Sequence, residues 1–334
     1  MVVPIVAFHA QPQQDLATLD GLLAHARYAA FDVGARAGVP VLTALSGYLL
    51  FASGADRAPW SLYRRKTRTL LVPLLMWNLP LVVALIVLQA MGVGGDKFGA
   101  PLWPPDTVRW IDASFGLTRL TINYPLGFLR DLFVLSLLAP LLGIGLRRAA
   151  VPTVAACFAV FLMWDGPVIF REQMLPAFAM GGAAAYRRGV LRRLDRRGGI
   201  AALTFATGCA AFAWLGIGSA WVQFFALGAV PLLWAAAAVV PAAVIAGAAR
   251  LSPASFFVFV SHAPIIAISW VVWRALSSPP MGHWIAGPVL TIGLLLAVYA
   301  FVLPRLPRAL VRVALGGRFA PLSQTATAAR HRRG

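Results

Sequence analysis

Two histidines and a few charges sit inside or beside apolar runs, and their types suit proton transfer and anion recognition. His9 closes the apolar stretch MVVPIVAFHA. A neutral imidazole can take a proton from a hydroxyl near neutral pH, which an ordinary lysine cannot. A histidine satisfied by water at a membrane interface fits the same placement. His262 lies in the middle of FVSHAPII, at a depth that suits either a cavity wall or a hydrogen-bonded core. The segment YPLGFLRDLFVLSLLAPLL, residues 124–142, carries Arg130 and Asp131 side by side. Ionisable residues at membrane depth are expensive and point to function by default. Neighbouring positions on a helix face different directions, so these two are expected to find partners on other helices. Asp32 and Arg36 lie at a comparable depth. Pairs of Arg130 with Asp32 and of Asp131 with Arg36 are therefore expected around a cavity that opens outward. A purely structural ion-pair network accounts for the same residues.

A second group is a basic cluster, Arg64, Arg65, Lys66 and Arg68. A guanidinium fork binds phosphate oxygens in pairs, so the cluster suits a phosphorylated ligand. A topology signal or contact with anionic lipid suits it equally. Arg65 and Arg68 are three apart and are expected on a similar helix face. Ser46 and Gly47 read as a close-packing pair rather than a nucleophile, because no base adjoins them. Trp103 and Trp110 have the chemistry to stack on a sugar, and equally to anchor a loop at the interface. The two cysteines, Cys157 and Cys209, lie inside apolar runs and suggest neither a disulfide framework nor a metal site.

The elements that must position these residues are transmembrane helices. The chain of 334 residues is 60% hydrophobic and 12% charged. A soluble domain is nearer half apolar and about a quarter charged. The net charge of +18 does not mark a nucleic-acid binder, because the basic residues gather in short clusters between apolar runs. Apolar runs predict spans near 33–52, 69–91, 124–146, 150–165, 172–187, 199–217, 220–242, 253–275 and 284–303. The segments 53–68, 147–148, 187–197, residue 250 and 304–334 hold 21 of the 29 basic residues. All fall on one side if the spans alternate, and the positive-inside rule makes that side the cytoplasm. Parity then places residues 1–10 as the outer end of a first helix. The expectation is an all-α polytopic bundle of about ten transmembrane helices, the first incomplete, with both termini cytoplasmic. Residues 1–303 form the membrane domain and 304–334 a basic cytoplasmic tail, polar and disordered at its end. The outer segment 92–123 is rich in Gly and Pro, which argues against a long regular element there. No internal repeat is evident.

Five stretches, in order, resemble the membrane acyltransferase-3 family. IVAFHA resembles the end of that family's first helix, with its important histidine at His9. RAGVPVLTALSGYLLF resembles its Ser-Gly-Tyr/Phe-Leu signature, and LYRRKTRTLLVPLLMW its basic cytoplasmic connection. The segment from Tyr124 resembles PLWFLRDLFVLYLLSPLL, with Gly127 where Trp is usual. SPASFFVFVSHAPII is similar to the family's late SFFIYLLHPLI element. LDGLLA at 19–24 looks like the LDGLR that precedes the first helix in other members. Aligning it so would make the polar run HARYAAFDVGARAG a span, so His9 is the better match. The family's basic residue ahead of the histidine has no counterpart before His9.

The resemblance implies a bacterial inner-membrane enzyme that moves an acyl group from cytoplasmic acyl-coenzyme A to a glycan hydroxyl. The acyl group is expected to be acetyl first and succinyl second. The acceptor is an exported or lipid-linked saccharide, and no metal is required. Partners are membrane lipids, the glycan acceptor and polysaccharide assembly proteins. In this reading His9 is the general base and Arg130 stabilises the oxyanion or orients the acceptor. Arg64, Arg65 and Arg68 hold the donor phosphates. Asp32, Arg36, Asp131 and His262 line the acceptor site. The donor arm threads into the bundle, or an acyl-enzyme relay intervenes. A saccharide transporter or flippase, or a non-catalytic scaffold, are the rival readings.

Overall fold

The computed structural model describes residues 2–10, 21–93, 101–163, 166, 168–276 and 280–320. The polar C-terminal end expected to be disordered lies outside the described residues. Fifteen α-helices occur among them and no strand. They are α1 (Val2–His9), α2 (Gly21–Arg27), α3 (Gly38–Ala52), α4 (Pro59–Lys66) and α5 (Val72–Ala90). Next come α6 (Thr107–Phe115), α7 (Gly127–Arg148), α8 (Ala150–Met163), α9 (Met174–Tyr186) and α10 (Arg188–Asp195). The last are α11 (Gly198–Trp214), α12 (Ser219–Ala236), α13 (Ala242–Ala275), α14 (Pro280–Ala297) and α15 (Arg308–Ala314). Six helical runs are long and apolar enough to cross a membrane, and α8, α9 and α11 are shorter apolar helices. Each of the nine expected spans falls on one of these.

Two expected boundaries change. The run before α3 was expected to be too polar to span, yet helical structure is continuous over Gly21–Ala52. It passes through a π-helical stretch, Tyr28–Gly34. That geometry brings positions five apart onto one face, and Arg27 meets Asp32 at 2.9 Å. The polarity is thus neutralised within the helix itself. The second change is α13, where a loop at Arg250 was expected. Instead one helix of 34 residues runs through it, about 51 Å long by the usual rise per residue. The Ala-rich run before Arg250 is strongly helix-forming. Its side chains are mostly exposed, Val244 and Ile245 among them.

The glycines that matter join α3 to α9. A Cβ on Gly47 would strike the carbonyl of Phe178, and one on Gly181 the carbonyl of Ala44. Small residues are what let helix backbones touch in a membrane. Ser46 donates its hydroxyl to the Leu42 carbonyl at 2.8 Å, one turn back. The Ser-Gly pair is therefore a packing device, as its sequence suggests.

Two large cores dominate the packing, beside four smaller clusters among the described residues. One joins α3, α4, α5, α7, α8 and α9 through Phe51, Leu74, Leu135 and Phe178, and takes in Phe259 and Val260 of α13. The other joins α1, α13, α14 and α15 through Val6, Phe257, Tyr299 and Val311. Trp77 and Phe256 touch both. At the basic end, the Arg147 guanidinium pairs with Asp56 and donates to the Tyr186 hydroxyl at 3.0 Å. Residues 304–320 are not a free tail there. Val311 and Leu315 are buried, and Trp77 Nε1 donates to the Ala314 carbonyl at 3.0 Å.

At the other end, the described residues between α5 and α7 include one short α-helix, α6, of 9 residues. Asp106 caps it by accepting from the Val108 and Arg109 amides. Asn78 of α5 ties it down, donating to the Ala113 and Ser114 carbonyls at 2.7 and 2.9 Å. Its carbonyl oxygen accepts from the Asn123 amide at 2.9 Å.

Candidate active site

His9 ends α1 against two aromatic neighbours from other helices. Its ring centroid is 4.7 Å from Tyr124, edge-on, and 5.4 Å from His262, with 26° between the ring planes. Tyr124 opens the α7 run, and His262 is midway along α13 with no exposed surface. His262 Nδ1 lies 2.8 Å from the Phe259 carbonyl and 3.1 Å from that of Val258. Carbonyls only accept, so Nδ1 carries the proton and Nε2 is a bare acceptor. That Nε2 is buried and has no protein partner among the described residues.

The cation beside His9 is Arg171, in the short connection ahead of α9. His9 and Arg171 line a cavity of about 30 Å³ with Pro125, Phe128 and Phe259. A space of that size holds about one water or one hydroxyl group. Arg171 Nη2 donates to the Tyr124 carbonyl at 3.3 Å, and Nη1 lies 3.6 Å from Asp131 Oδ2. Nη1 is buried without a hydrogen-bond partner among the described residues. A buried donor and a buried acceptor without protein hydrogen-bond partners thus lie near one small cavity, and a hydroxyl group has the chemistry to meet either.

Asp131 organises this arrangement. Its carboxylate is fully buried and accepts from Arg130 Nη1 at 2.9 Å. It also accepts the Phe170 amide at 3.3 Å and the Arg171 amide at 3.2 Å. These bonds fix the segment that presents Arg171. Gly127 makes the remaining room, since a Cβ there would stand 2.8 Å from Arg171 Nη1. The departure from the family's usual Trp is thus filled by a guanidinium.

The expected residues are placed as follows. His9, His262 and Asp131 are brought together, the last through Arg171. Arg130 and Asp131 do pair with each other, contrary to the sequence expectation, because the long Arg130 side chain folds back over its neighbour. Arg130 also donates to the Val168 carbonyl at 2.5 Å and stacks 4.3 Å over the Phe170 ring. It does not line the cavity with His9. The expected pairs of Arg130 with Asp32 and of Asp131 with Arg36 do not form. Asp131 is already saturated, and Asp32 is taken by Arg27. Arg36 instead faces the Phe8 ring at 5.6 Å. His283 of α14 is buried and lies 2.9 Å from the Ser269 hydroxyl. Trp110 is held within the segment between α5 and α7, donating to the Leu102 carbonyl at 2.8 Å, whereas Trp103 is half exposed.

Arg64, Arg65 and Arg68 are exposed where α4 passes into a π-helical turn, Thr67–Leu71. They lie at the basic end, with Arg147, while His9 lies at the start of α7. The 22 residues of α7 separate these levels by about 33 Å. Sequence reasoning missed two residues. Arg171 reads in the sequence as an ordinary basic residue between apolar runs, and its position just ahead of a short apolar helix is the available signal. Arg318 crosses from the C-terminal segment to donate to the Thr69 carbonyl at 2.8 Å. It lies 4.2 Å over Phe256, and burial pushes its guanidinium below the ordinary value. It adds a cation to the Arg65 cluster, a contact no local pattern announces.

Among the described residues, no group of three or more His, Cys, Asp or Glu side chains is placed to hold a metal. The family model described as an acyltransferase domain matches residues 2–303. The chain is similar to the succinoglycan biosynthesis protein ExoH of Rhizobium meliloti (strain 1021), at 30% identity over 305 residues. That alignment covers 85% of this chain and 80% of the relative. No solved structure matches the chain. A membrane bundle that sets a histidine against a buried arginine agrees with this kinship: the chain belongs to the acyltransferase-3 family and is a membrane O-acyltransferase.

Proposed function

We propose that the protein moves an acyl group, acetyl or succinyl, from cytoplasmic acyl-coenzyme A to a hydroxyl of an exported or lipid-linked saccharide. The membrane is the bacterial inner membrane, with the basic end and both termini cytoplasmic. The observation that carries this reading is the hydroxyl-sized cavity between His9 and Arg171. The similarity to a protein named for succinoglycan biosynthesis supports an exported polysaccharide as acceptor.

In this mechanism the acceptor hydroxyl enters the cavity and His9 takes its proton as the oxygen attacks the thioester carbonyl. Negative charge then develops on the carbonyl oxygen. Arg171 Nη1, buried and ion-paired with Asp131 but without a hydrogen-bond partner among the described residues, is the group suited to receive it. Collapse of the tetrahedral intermediate breaks the carbon–sulfur bond. The imidazolium returns the proton to the coenzyme A thiolate, and the ester departs. His262 offers its bare nitrogen to the acceptor. Asp131 positions Arg171. Arg130, Asp32 and Arg36 hold the walls of this end rather than the reacting atoms. Arg64, Arg65 and Arg68 hold the donor phosphates at the basic end, where guanidinium forks suit them.

A relay through a buried serine is not supported. The hydroxyls of Ser46, Ser136 and Ser261 each donate to a helix carbonyl one turn back, at 2.8, 2.7 and 2.6 Å. None is poised as a nucleophile.

The test compares O-acyl content of the cell-surface glycan by NMR. One strain lacks the protein, one carries it, and one carries His9→Ala at equal membrane abundance. Ester restored by the wild type and absent with His9→Ala supports the reading. Ester restored equally by both removes His9 from the mechanism. Labelled acyl transfer by the purified protein, without vectorial uptake of saccharide, separates the enzyme from a transporter.

A further inference from the structure

We infer that the basic end of the bundle binds one anionic phospholipid. One acyl chain would lie in the groove between α8, α9 and α12, with its phosphate on Arg187. The groove is distinct from the candidate active site and has a volume of about 690 Å³, within the ~300–1,000 Å³ typical of small-molecule sites. Its walls are apolar, among them Val154, Phe158, Leu162, Val230 and Trp234. Arg187 is the sole charged residue lining it. That side chain is exposed and forms no ion pair or hydrogen bond with another described residue.

Three observations choose the occupant. The first is the arrangement of charge. Arg187 follows directly on the last residue of α9, so the cation stands at one end of the groove. Phe158 and Leu162 lie further along α8, away from the basic residues Arg147 and Arg148 that precede it. A cation at one end and hydrocarbon along the rest match a lipid phosphate and its chain.

The second is α10. This short helix turns Leu191 and Leu194 towards the groove and leaves Arg192 and Arg193 exposed, with Asp195 as its one acid, and Arg196 and Arg197 just beyond it are exposed too. Basic pockets between membrane helices on the cytoplasmic side favour anionic headgroups. A field of that sign selects an anionic lipid over a zwitterionic one.

The third excludes the donor. Coenzyme A carries a nucleotide, and Trp234 supplies the only polar side-chain group on the walls besides Arg187. A base and ribose would leave most of their polar atoms unmatched there.

Native mass spectrometry of the purified full chain tests this. The protein is released from nanodiscs of equal parts phosphatidylglycerol and phosphatidylcholine. The expected result is one retained phosphatidylglycerol, favoured at least fivefold over phosphatidylcholine. Arg187→Gln should reduce that preference to below twofold while the protein stays folded, since the side chain is exposed. Ala155→Trp should block the groove and remove retention of both lipids. Arg196→Gln, with the same charge change outside the groove, should leave the preference within twofold of wild type. Equal losses with Arg187→Gln and Arg196→Gln would overturn the site, leaving only the general field of α10. Retention unaffected by Ala155→Trp would overturn it as well. So would displacement of phosphatidylglycerol by undecaprenyl phosphate at equal mole fraction, or a dimer that Ala155→Trp abolishes.

Discussion

Replacing Arg171 by Ala separates two jobs that neighbouring arginines perform on one carboxylate. The variant loses the 3.6 Å ion pair to Asp131 and the 3.3 Å bond to the Tyr124 carbonyl. Asp131 keeps Arg130 Nη1 at 2.9 Å and the backbone amides at 3.3 and 3.2 Å, so its buried charge stays compensated. The stability loss should therefore be about 1.5–3 kcal/mol, the range for one bond to a charged group. A buried pair broken outright costs about 3–5 kcal/mol. The chemistry should suffer more than the fold. Removing a single donor to a developing oxyanion lowers kcat by about 10²–10³. Arg130→Ala should show the reverse balance. It strips Asp131 of its shortest bond and the 168–173 segment of its staple, so it should lower the Tm more than Arg171→Ala and kcat less. The assay is labelled acyl transfer in nanodiscs, with thermal unfolding of the same samples. Arg171→Lys should recover part of the rate, because an ammonium is a point charge without the planar fork. A folded Arg171→Ala protein with kcat within threefold of wild type would refute the reasoning. So would a greater kcat loss in Arg130→Ala at unchanged Tm.

Other outcomes follow from features at both ends. Asn78→Leu removes partners from the Ala113 and Ser114 carbonyls and the Asn123 amide. Each buried orphan costs about 1–3 kcal/mol, and hydrogen exchange over residues 107–123 should accelerate. Arg65→Gln combined with Arg68→Gln should raise KM for acyl-coenzyme A with little change in kcat. Each lost charge-assisted contact is worth about 1.5–3 kcal/mol, or about 10- to 150-fold, measured by titrating the donor at fixed acceptor. Gly181→Ala would drive a methyl into the Ala44 carbonyl and should deplete folded protein, as size-exclusion yield will show. Gly228→Ala, with nothing within 4 Å of the added atom, should be neutral or slightly stabilising.

Hydropathy made the bundle legible, and the clustering of arginines made its polarity a reasoned expectation. Both are averages over many residues, which is why they survive local surprises. The surprises were local. Nothing in HARYAAFDVGARAG announces a π-helical turn that lets Arg27 reach Asp32. Nothing before Arg250 breaks the helix, yet a cationic position in an apolar chain looks like a loop. His9, His262 and Asp131 were legible because histidines and acids are scarce in membrane spans. Arg171 was not, since an arginine in a connection is ordinary until its neighbours are known. The helical rule that adjacent residues diverge misassigned Arg130, because a long side chain can bend back over one position. Gly127 was noticed as an exception and became intelligible only when the guanidinium filling its place was seen.

The sharing of α13 between the two cores bears on how the site is held. His9 belongs to α1 and His262 to α13, whereas Asp131 belongs to α7 and Arg171 to the connection ahead of α9. Phe259 and Val260 of α13 pack into the first core, while Phe257 and Val258 pack into the second. One helix therefore ties together the elements that supply the candidate base and those that supply its electrostatic partner. A movement that parted the two cores would have to bend or shift α13, and would draw His9 away from Arg171 in the same step.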